Sequence, residues 1–148
     1  MTRKVARDIP LSELTLRKYE KPGKPEAREA IKKICLSLGL LQPGDSRDVM
    51  VDILQVIVEA KKPLTLSDIE HEVIANRKKH KCPLVGIAAS NITRQIRRLK
   101  QMNIVEAVAN KYRLTEGETL AVLFEEKILR YHLTSTIERI REYLSLIK

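Results

Sequence analysis

Apolar residues recur three or four positions apart along most of the chain, and this spacing is typical of amphipathic helices. The pattern predicts helices over residues 25–38, 47–61, 67–79 and 88–102. Gly39 and Pro63 end the first two of them. Ser46 or Asp45 can cap the second, and an S-x-x-E capping box at Ser67 begins the third. Most of the chain is therefore expected to be helical.

A short β signal follows the fourth predicted helix. Residues 104–109 and 111–115 are rich in β-branched and apolar side chains, and they flank Asn110, which tolerates a positive φ. This arrangement predicts a tight hairpin. Near the N-terminus, Leu14–Tyr19 alternates briefly between apolar and polar residues, as a short strand does. The predicted fold class is mainly α with a small β hairpin.

The C-terminal segment, residues 117–148, is predicted to be helical and to follow a T-x-x-E capping box at Thr115. Its apolar residues are Leu120, Phe124, Ile128 and Tyr131, then Leu133, Ile137, Ile140, Leu144 and Ile147. The last five alternate at spacings of four and three, which is the heptad pattern of a paired helix. This seam predicts a homodimer through 117–148. The phase of the stripe changes near Thr134, so periodicity leaves open one long helix or two.

Positive charge is concentrated in one part of the chain. The net charge is +9, and residues 76–101 carry eight Lys and Arg without a single Asp or Glu. Residues 1–24 carry seven basic residues against three acidic ones. A field concentrated in this way attracts polyanions, above all nucleic acid. The alternative is a solvated basic face without a partner.

Composition and motifs exclude several classes of protein. The chain has no glycine-rich phosphate loop, no apolar run of about 18 residues that could span a membrane and no apolar signal segment, so a cytoplasmic protein is expected. Its two cysteines, Cys35 and Cys82, do not make a disulfide framework. His71, His80 and Cys82 are the only candidate metal ligands, fewer than a structural zinc site needs. Since no nucleophile–base pair is recognisable either, no enzymatic activity, metal or cofactor is expected.

The helix predicted over 88–102 has two different faces. At 100° per residue, Ile92, Ile96 and Leu99 fall on one side. The opposite side and its flanks carry residue types that read base edges: Ser90, Asn91, Arg94, Gln95, Arg97, Arg98 and Gln101. In the major groove Arg pairs with guanine, and Asn or Gln pairs with adenine. Basic residues before this helix are expected to contact the nucleic-acid backbone, and they are Arg77, Lys78, Lys79 and Lys81. Lys111 and Arg113, near the tip of the hairpin, are suited to contact a phosphate or the minor groove.

The order of elements over residues 47–115 is helix, helix, helix and hairpin. Ser90–Val105, followed by Asn110–Thr115, resembles the recognition helix and wing of archaeal and bacterial winged helix-turn-helix regulators, and is similar to the arsenical-repressor and multiple-antibiotic-resistance-regulator families. The resemblance covers about residues 47–116. It implies a protein that reads duplex DNA with its third helix, touches the backbone or minor groove with its wing and dimerises through flanking helices. The connection from Lys79 to Ala88 is longer than the usual tight turn of those families.

The sequence therefore divides into four parts: a basic extended arm (1–24), an N-terminal helix and turn (25–46), a winged-helix DNA-binding domain (47–116) and a helical dimerisation segment (117–148). The predicted function is transcriptional regulation through binding of duplex DNA. Two alternatives remain open at this point. A winged helix can serve only as a protein-interaction module of a larger complex, since a fold does not determine function. The basic surface can also bind RNA.

Overall fold

A computed structural model describes residues 8–147 of the chain. Its regular elements up to the hairpin are α1 (Ala27–Ser37), α2 (Val49–Glu59), α3 (Leu66–Lys79), α4 (Ala89–Gln101), β1 (Val105–Val108) and β2 (Lys111–Leu114). A turn of 3₁₀ helix at Thr115–Gly117 leads into a C-terminal helix. The structure is mainly helical with one small antiparallel sheet among the described residues, which confirms the prediction of a helical chain with a hairpin.

The helix α2 lies at the centre of the hydrophobic core. It contacts α1, α3, α4 and β2, and eight of its eleven residues are buried. A helix that is apolar on nearly all sides belongs in the interior of a domain. Val51, Ile53 and Leu54 are fully buried, and burial of apolar side chains of this size contributes roughly 1.5–3 kcal/mol each. The packing around α2 therefore positions the surrounding helices, including α4.

The hairpin is joined to the helical body along one edge. β1 and β2 pair along their full length. Ala109 and Asn110 at the tip have positive φ values of 51° and 62°, as a type I′ turn requires. Tyr112 of β2 also exchanges two backbone hydrogen bonds with Leu64, with N···O distances of 2.7 and 2.9 Å. The segment before α3 is thus joined to the two-stranded sheet by an isolated antiparallel bridge, a contact that local sequence signals do not predict.

The predicted capping box of α3 is wrong by two residues. The N-cap is Thr65, whose hydroxyl accepts a hydrogen bond from the N–H of Asp68 at 3.1 Å. The Asp68 carboxylate accepts one from the N–H of Thr65 at 3.0 Å. Ser67 lies inside the helix. Because Leu64 is paired with the hairpin, the chain leaves the sheet at this point, and the first available capping box begins the helix.

Two further predicted caps are also wrong. Asp48 occupies the N-cap position of α2, while Asp45 accepts a hydrogen bond from the N–H of Arg47 within the preceding turn. Thr115 belongs to the 3₁₀ turn. The C-terminal helix begins instead after Thr119, whose hydroxyl accepts from the N–H of Val122 at 3.3 Å. The Thr119 side chain thus caps the C-terminal helix, whereas the Asp48 carboxylate makes no hydrogen bond to the first turn of α2 and binds Arg28 and Arg77 instead.

The C-terminal segment is one continuous helix with a change of hydrogen bonding in its middle. α5 (Leu120–Leu123), a π-helical stretch (Phe124–Leu133) and α6 (Thr134–Leu144) follow one another without a non-helical residue. The π-helical stretch explains the phase change of the apolar stripe, since its hydrogen bonds span five residues. Leu123 and Ile128, five residues apart, are fully buried, whereas Tyr131 of the predicted stripe is exposed. All of α6 lies outside the core, and none of its residues Thr134–Leu144 is buried.

The part of the N-terminal arm that is described, residues 8–24, contains no strand and passes the C-terminal end of α1. The N–H of Arg17 donates to the Ser37 carbonyl at 2.8 Å, and its guanidinium donates to the carbonyls of Leu36 and Leu41 at 2.8 and 3.2 Å. The prediction of a strand over Leu14–Tyr19 is wrong, because the one backbone bond from Arg17 is not continued into a ladder, and the other bonds of Arg17 come from its side chain. Residues 1–7 of the predicted arm lie outside the described residues.

Candidate nucleic-acid interface

The helix α4 has one buried apolar face and one basic face, as its spacing predicts. Ile92, Ile96 and Leu99 are buried where α4 packs on α2 and α3. Their burial directs the opposite side of the helix toward solvent, because residues three and four apart share a face. Four of the seven predicted base-reading residues are exposed on α4, namely Ser90, Arg94, Arg97 and Gln101. Lys100 is exposed on the same helix.

The other three predicted base-reading residues, Asn91, Gln95 and Arg98, are half-buried and bonded to one another. Nδ2 of Asn91 donates to the Gly86 carbonyl at 2.7 Å, and Nε2 of Gln95 donates to Oδ1 of Asn91 at 3.3 Å. Nη1 of Arg98 donates to Oε1 of Gln95 at 2.9 Å, and Nη2 donates to the Gly39 carbonyl at 3.1 Å. We call this chain of bonds from Gly39 to Gly86 the polar relay. It ties α4 to the turn after α1 and to the loop before α4.

Basic residues at the C-terminal end of α3 divide into an exposed group and a buried one. Lys78, Lys79 and Lys81 are exposed. Arg77 is fully buried, so the expectation that it contacts the nucleic-acid backbone is wrong. Its position in the helix directs its side chain inward to α2, where carboxylates bind it. The acid-free stretch 76–101 therefore presents seven basic side chains outside the core rather than eight.

Arg77 belongs to a buried charge network that joins α1, α2 and α3. Its Nη1 donates to Oδ1 of Asp48 at 3.0 Å and to Oδ2 of Asp52 at 2.6 Å, and its Nε donates to the Pro83 carbonyl at 2.8 Å. Arg28 of α1 binds Asp52 through two hydrogen bonds of 3.1 and 3.0 Å and reaches Asp48 at 3.2 Å. Two guanidinium groups thus balance two carboxylates. The bond to Pro83 also holds the start of the loop that leads to α4.

The buried charge network shifts the acidity of its members. Burial alone would raise the pKa of the Asp48 carboxyl, but hydrogen bonds and charge attraction from Arg77 and Arg28 hold that pKa below its usual value. Burial likewise would lower the pKa of Arg28, yet its hydrogen bond to Asp52 and the charges of both carboxylates raise it. Arg28 and Asp48 therefore stay charged at neutral pH.

The two predicted contact residues of the hairpin differ in their surroundings. Lys111 is exposed, whereas Arg113 forms an ion pair with Glu106, with Nη2···Oε2 and Nε···Oε2 distances of 2.7 and 2.8 Å. The N–H of Glu116 also donates to Glu106 at 3.0 Å. The hydrogen bond from the N–H of Glu116 and, to a smaller extent, that from Arg113 hold the pKa of Glu106 below its usual value. Glu106 lies directly opposite Arg113 in the hairpin register, so the pairing could have been predicted from the hairpin itself.

A cleft of about 730 Å³ lies beside α4. Its walls are the segment between Leu40 and Met50, the loop from Pro83 to Gly86 and the side of α4. Arg94 lines this cleft from α4, together with the three side chains of the polar relay. Arg94 and the polar relay therefore border the same concave surface.

The candidate metal ligands are occupied or dispersed. Nδ1 of His80 lies 2.9 Å from the Asn76 carbonyl, and His71 is exposed on α3. Both cysteines are free thiols. Cys35 is fully buried, and burial raises the pKa of its thiol to about 12, so that little of the reactive thiolate forms at neutral pH.

Across residues 8–147, no three His, Cys, Asp or Glu side chains are grouped so that they could hold a metal ion. In the same part of the chain, no helix combines the length and the apolar composition that a membrane crossing needs. Comparisons with models of protein families, with curated proteins and with solved structures give no match for this chain.

Proposed function

We propose that this protein is a winged helix-turn-helix transcriptional regulator that binds duplex DNA. In this proposal α3 and α4 are the helix-turn-helix pair, α4 is the recognition helix and the β1–β2 hairpin is the wing. One observation carries it: the exposed face of α4 presents Arg94, Arg97 and Lys100 without an acidic residue, while its apolar face is buried. A helix that is held by one face can present the other as a rigid reading surface.

The dimensions and chemistry of α4 suit the major groove. Its 13 residues span about 20 Å at 1.5 Å per residue, and a major groove about 12 Å wide admits an α-helix. In that position Arg94 and Arg97 pair with guanine O6 and N7, and Gln101 pairs with adenine. Ser90, near the start of the helix, binds a phosphate.

Basic residues outside α4 supply affinity without sequence preference. Lys78, Lys79 and Lys81 follow one another at the end of α3 and are all exposed. Lysines that neutralise phosphates release counterions, so their contribution falls as the salt concentration rises. At the wing, Lys111 is the stronger contact, because Arg113 shares its charge with Glu106.

The proposed partner of the C-terminal helix is a second copy of this chain. The heptad residues Ile140 and Leu144 are 53% and 60% exposed, which leaves an apolar seam uncovered by the chain itself. Ile147, the last residue of the predicted seam, is 75% exposed but lies beyond the end of α6 at Leu144. Pairing of two such seams buries them in a coiled-coil contact. Two recognition helices about one turn of DNA apart then read a two-fold site. A regulator of this kind acts in the cytoplasm.

In vitro selection from a randomised duplex pool, followed by fluorescence anisotropy over a series of salt concentrations, tests DNA binding. The expected result is one enriched sequence, bound on the order of a thousand times more tightly than random duplex. The logarithm of the binding constant is expected to fall linearly with the logarithm of the salt concentration. Tighter binding of RNA would instead support the RNA-binding alternative. A protein that binds no nucleic acid would support an interaction module of a larger complex.

Light scattering coupled to size exclusion tests the dimer. The wild-type protein is expected to have twice the mass of one chain. Ile140→Asp combined with Leu144→Asp places two charges in the seam and is expected to give a monomer. The matched control, Ser135→Asp with Ser145→Asp, adds the same charges to α6 and the residue that follows it, but outside the seam. A wild-type monomer contradicts the dimer, and a dimer that survives the seam variant places the interface elsewhere.

A further inference from the structure

The polar relay separates Arg98 from the other arginines of α4. Arg94 and Arg97 are exposed, whereas Arg98 is half-buried and its guanidinium donates to Oε1 of Gln95 and to the Gly39 carbonyl. To reach a base, Arg98 would have to give up both bonds. That move would leave two acceptors without partners, which is unfavourable for half-buried groups. The geometry therefore keeps Arg98 against the protein rather than in the groove.

The polar relay fixes the orientation of two side-chain amides. The Gly86 carbonyl only accepts, so the amino group of Asn91 must face it. Oδ1 of Asn91 then accepts from the amino group of Gln95, and Oε1 of Gln95 faces Arg98, which only donates. Because the Gly86 carbonyl only accepts and the Arg98 guanidinium only donates, each amide loses two hydrogen bonds if it flips.

An amide in a fixed orientation can distinguish one base from another. The carbonyl oxygen of Gln95 keeps a second lone pair, and its amino group keeps a second hydrogen. These two groups match N6 and N7 of adenine. We propose that Arg98 is a positioning residue that holds the Gln95 amide in one orientation, so that the base preference of α4 depends on Arg98 although Arg98 does not touch DNA. This inference rests on the proposed function.

The far end of the polar relay is held by the N-terminal arm. Gly39 has a φ of 72°, and a Cβ added there would lie 2.6 Å from Cβ of Thr15. Only glycine allows the arm to pack so closely on the turn whose carbonyl binds Arg98. Arg17 binds the carbonyls of Leu36 and Leu41 on either side of this turn. The arm therefore supports the relay at its Arg98 end.

A double-mutant cycle on DNA binding tests the positioning role. Wild type, Gln95→Ala, Arg98→Ala and the double variant are compared on the selected duplex and its single-base variants. Each single variant is expected to lower the preference for the same base pair roughly tenfold. The double variant is expected to be no worse than either single one, because both act through the same amide. Arg98→Ala leaves the salt slope nearly unchanged, whereas the control Lys78→Ala reduces it by about one.

Two outcomes overturn the positioning role while the proposed function stands. One is additive losses in the double variant, and the other is a salt slope that Arg98→Ala reduces as much as Lys78→Ala does. Either would make Arg98 a direct contact. If the wild-type protein selects no duplex at all, the proposed function fails, and the positioning role fails with it.

The side-chain amide signals of the free protein give a readout that does not depend on DNA. By NMR relaxation, the amino groups of Asn91 and Gln95 are expected to be ordered in the wild type and mobile in Arg98→Ala. Arg98→Lys keeps the charge but lacks the planar fork that reaches two acceptors, so it is expected to behave like Arg98→Ala. It also replaces Arg98→Ala if that variant does not fold. Equal order of the Gln95 amide in wild type and variant contradicts the relay.

Discussion

Two arginines of the same acid-free stretch of sequence lie in opposite environments. Arg77, near the end of α3, is fully buried and bound to Asp48 and Asp52. Arg94, on α4, is exposed beside a cleft. Both add one positive charge to the same basic cluster, yet the first charge is neutralised inside the protein and the second faces solvent.

This difference shows how burial separates charge that is neutralised within the fold from charge that a ligand could reach. Removal of a charge from water is costly, so a buried arginine is stable only with carboxylate partners and its charge is not available to a ligand. An exposed arginine contributes little to folding and keeps its charge for binding. Replacing an arginine by alanine in the buried charge network is therefore expected to lower the stability of the protein. The same replacement on the basic face of α4 is expected to weaken binding and to leave the stability nearly unchanged.

The largest expected effect is on folding. Arg77→Ala leaves Asp48 and Asp52 with Arg28 as their main counter-charge, and loss of one partner from a buried pair typically costs about 3–5 kcal/mol. Urea unfolding followed by circular dichroism measures this loss. Arg97→Ala, the control on the exposed face, is expected to change the unfolding free energy by less than about 0.5 kcal/mol. An equal loss of unfolding free energy in the two variants would contradict the distinction between a buried, structural Arg77 and an exposed Arg97.

The second effect is on binding. Arg94→Ala is expected to weaken binding of the selected duplex by about 1–3 kcal/mol and to relax its specificity at one base pair. Fluorescence anisotropy measures both quantities. The control Arg139→Ala removes an equal charge from α6, where Arg139 pairs with Glu142 at 3.0 Å. If both variants lose affinity equally, the effect of Arg94 is one of net charge and not of contact.

The helices and the hairpin could be predicted from the sequence because their signals are local. Apolar spacing over a dozen residues places α1 to α4, and Asn110 marks the turn of the hairpin. The role of Arg77 could not be read in this way, because its partner Asp48 lies 29 positions away. One signal was available: Asp52 is the only charged residue within 49–58, and a lone carboxylate in an apolar helix needs a buried counter-charge.

The caps and the continuity of the C-terminal helix could not be predicted for a related reason. Thr65 and Ser67 each begin a capping motif, and the choice between them depends on the pairing of Leu64 with Tyr112, which is distant in sequence. The π-helical stretch changes the spacing of buried residues from that of an α-helix to five, as Leu123 and Ile128 show. The phase change of the apolar stripe near Thr134 is visible in the sequence, but periodicity does not distinguish a π-helical stretch from a break between two helices.

The comparison also predicts that the buried charge network contributes to the pH dependence of the protein's stability. The pKa of Asp48 is below its usual value in the folded protein. Its contribution to stability is therefore present above the unfolded pKa of about 3.9 and is lost as the pH falls through the folded pKa. Urea unfolding between neutral and acidic pH is expected to show a flatter pH dependence in Asp48→Asn than in the wild type. Parallel curves for the two proteins would contradict this.

The smallest expected effect concerns the tip of the hairpin. Ala109 has a φ of 51°, in the left-handed region that disfavours any residue with a Cβ. Ala109→Gly is expected to raise the unfolding free energy by up to about 1 kcal/mol, since glycine adopts this conformation without strain. The control Ala107→Gly, within β1, is expected to lower it. A lower unfolding free energy for Ala109→Gly than for Ala107→Gly would contradict the turn geometry.

The most direct test of DNA reading by α4 is the affinity of the double variant Arg94→Ala/Arg97→Ala for the selected duplex. The control Lys24→Ala/Lys33→Ala removes the same charge from the arm and α1. The reading role predicts that the α4 variant keeps the melting temperature of the wild type and loses about 2 kcal/mol or more of binding free energy, while the control loses much less. An α4 variant that binds as tightly as the wild type would contradict it.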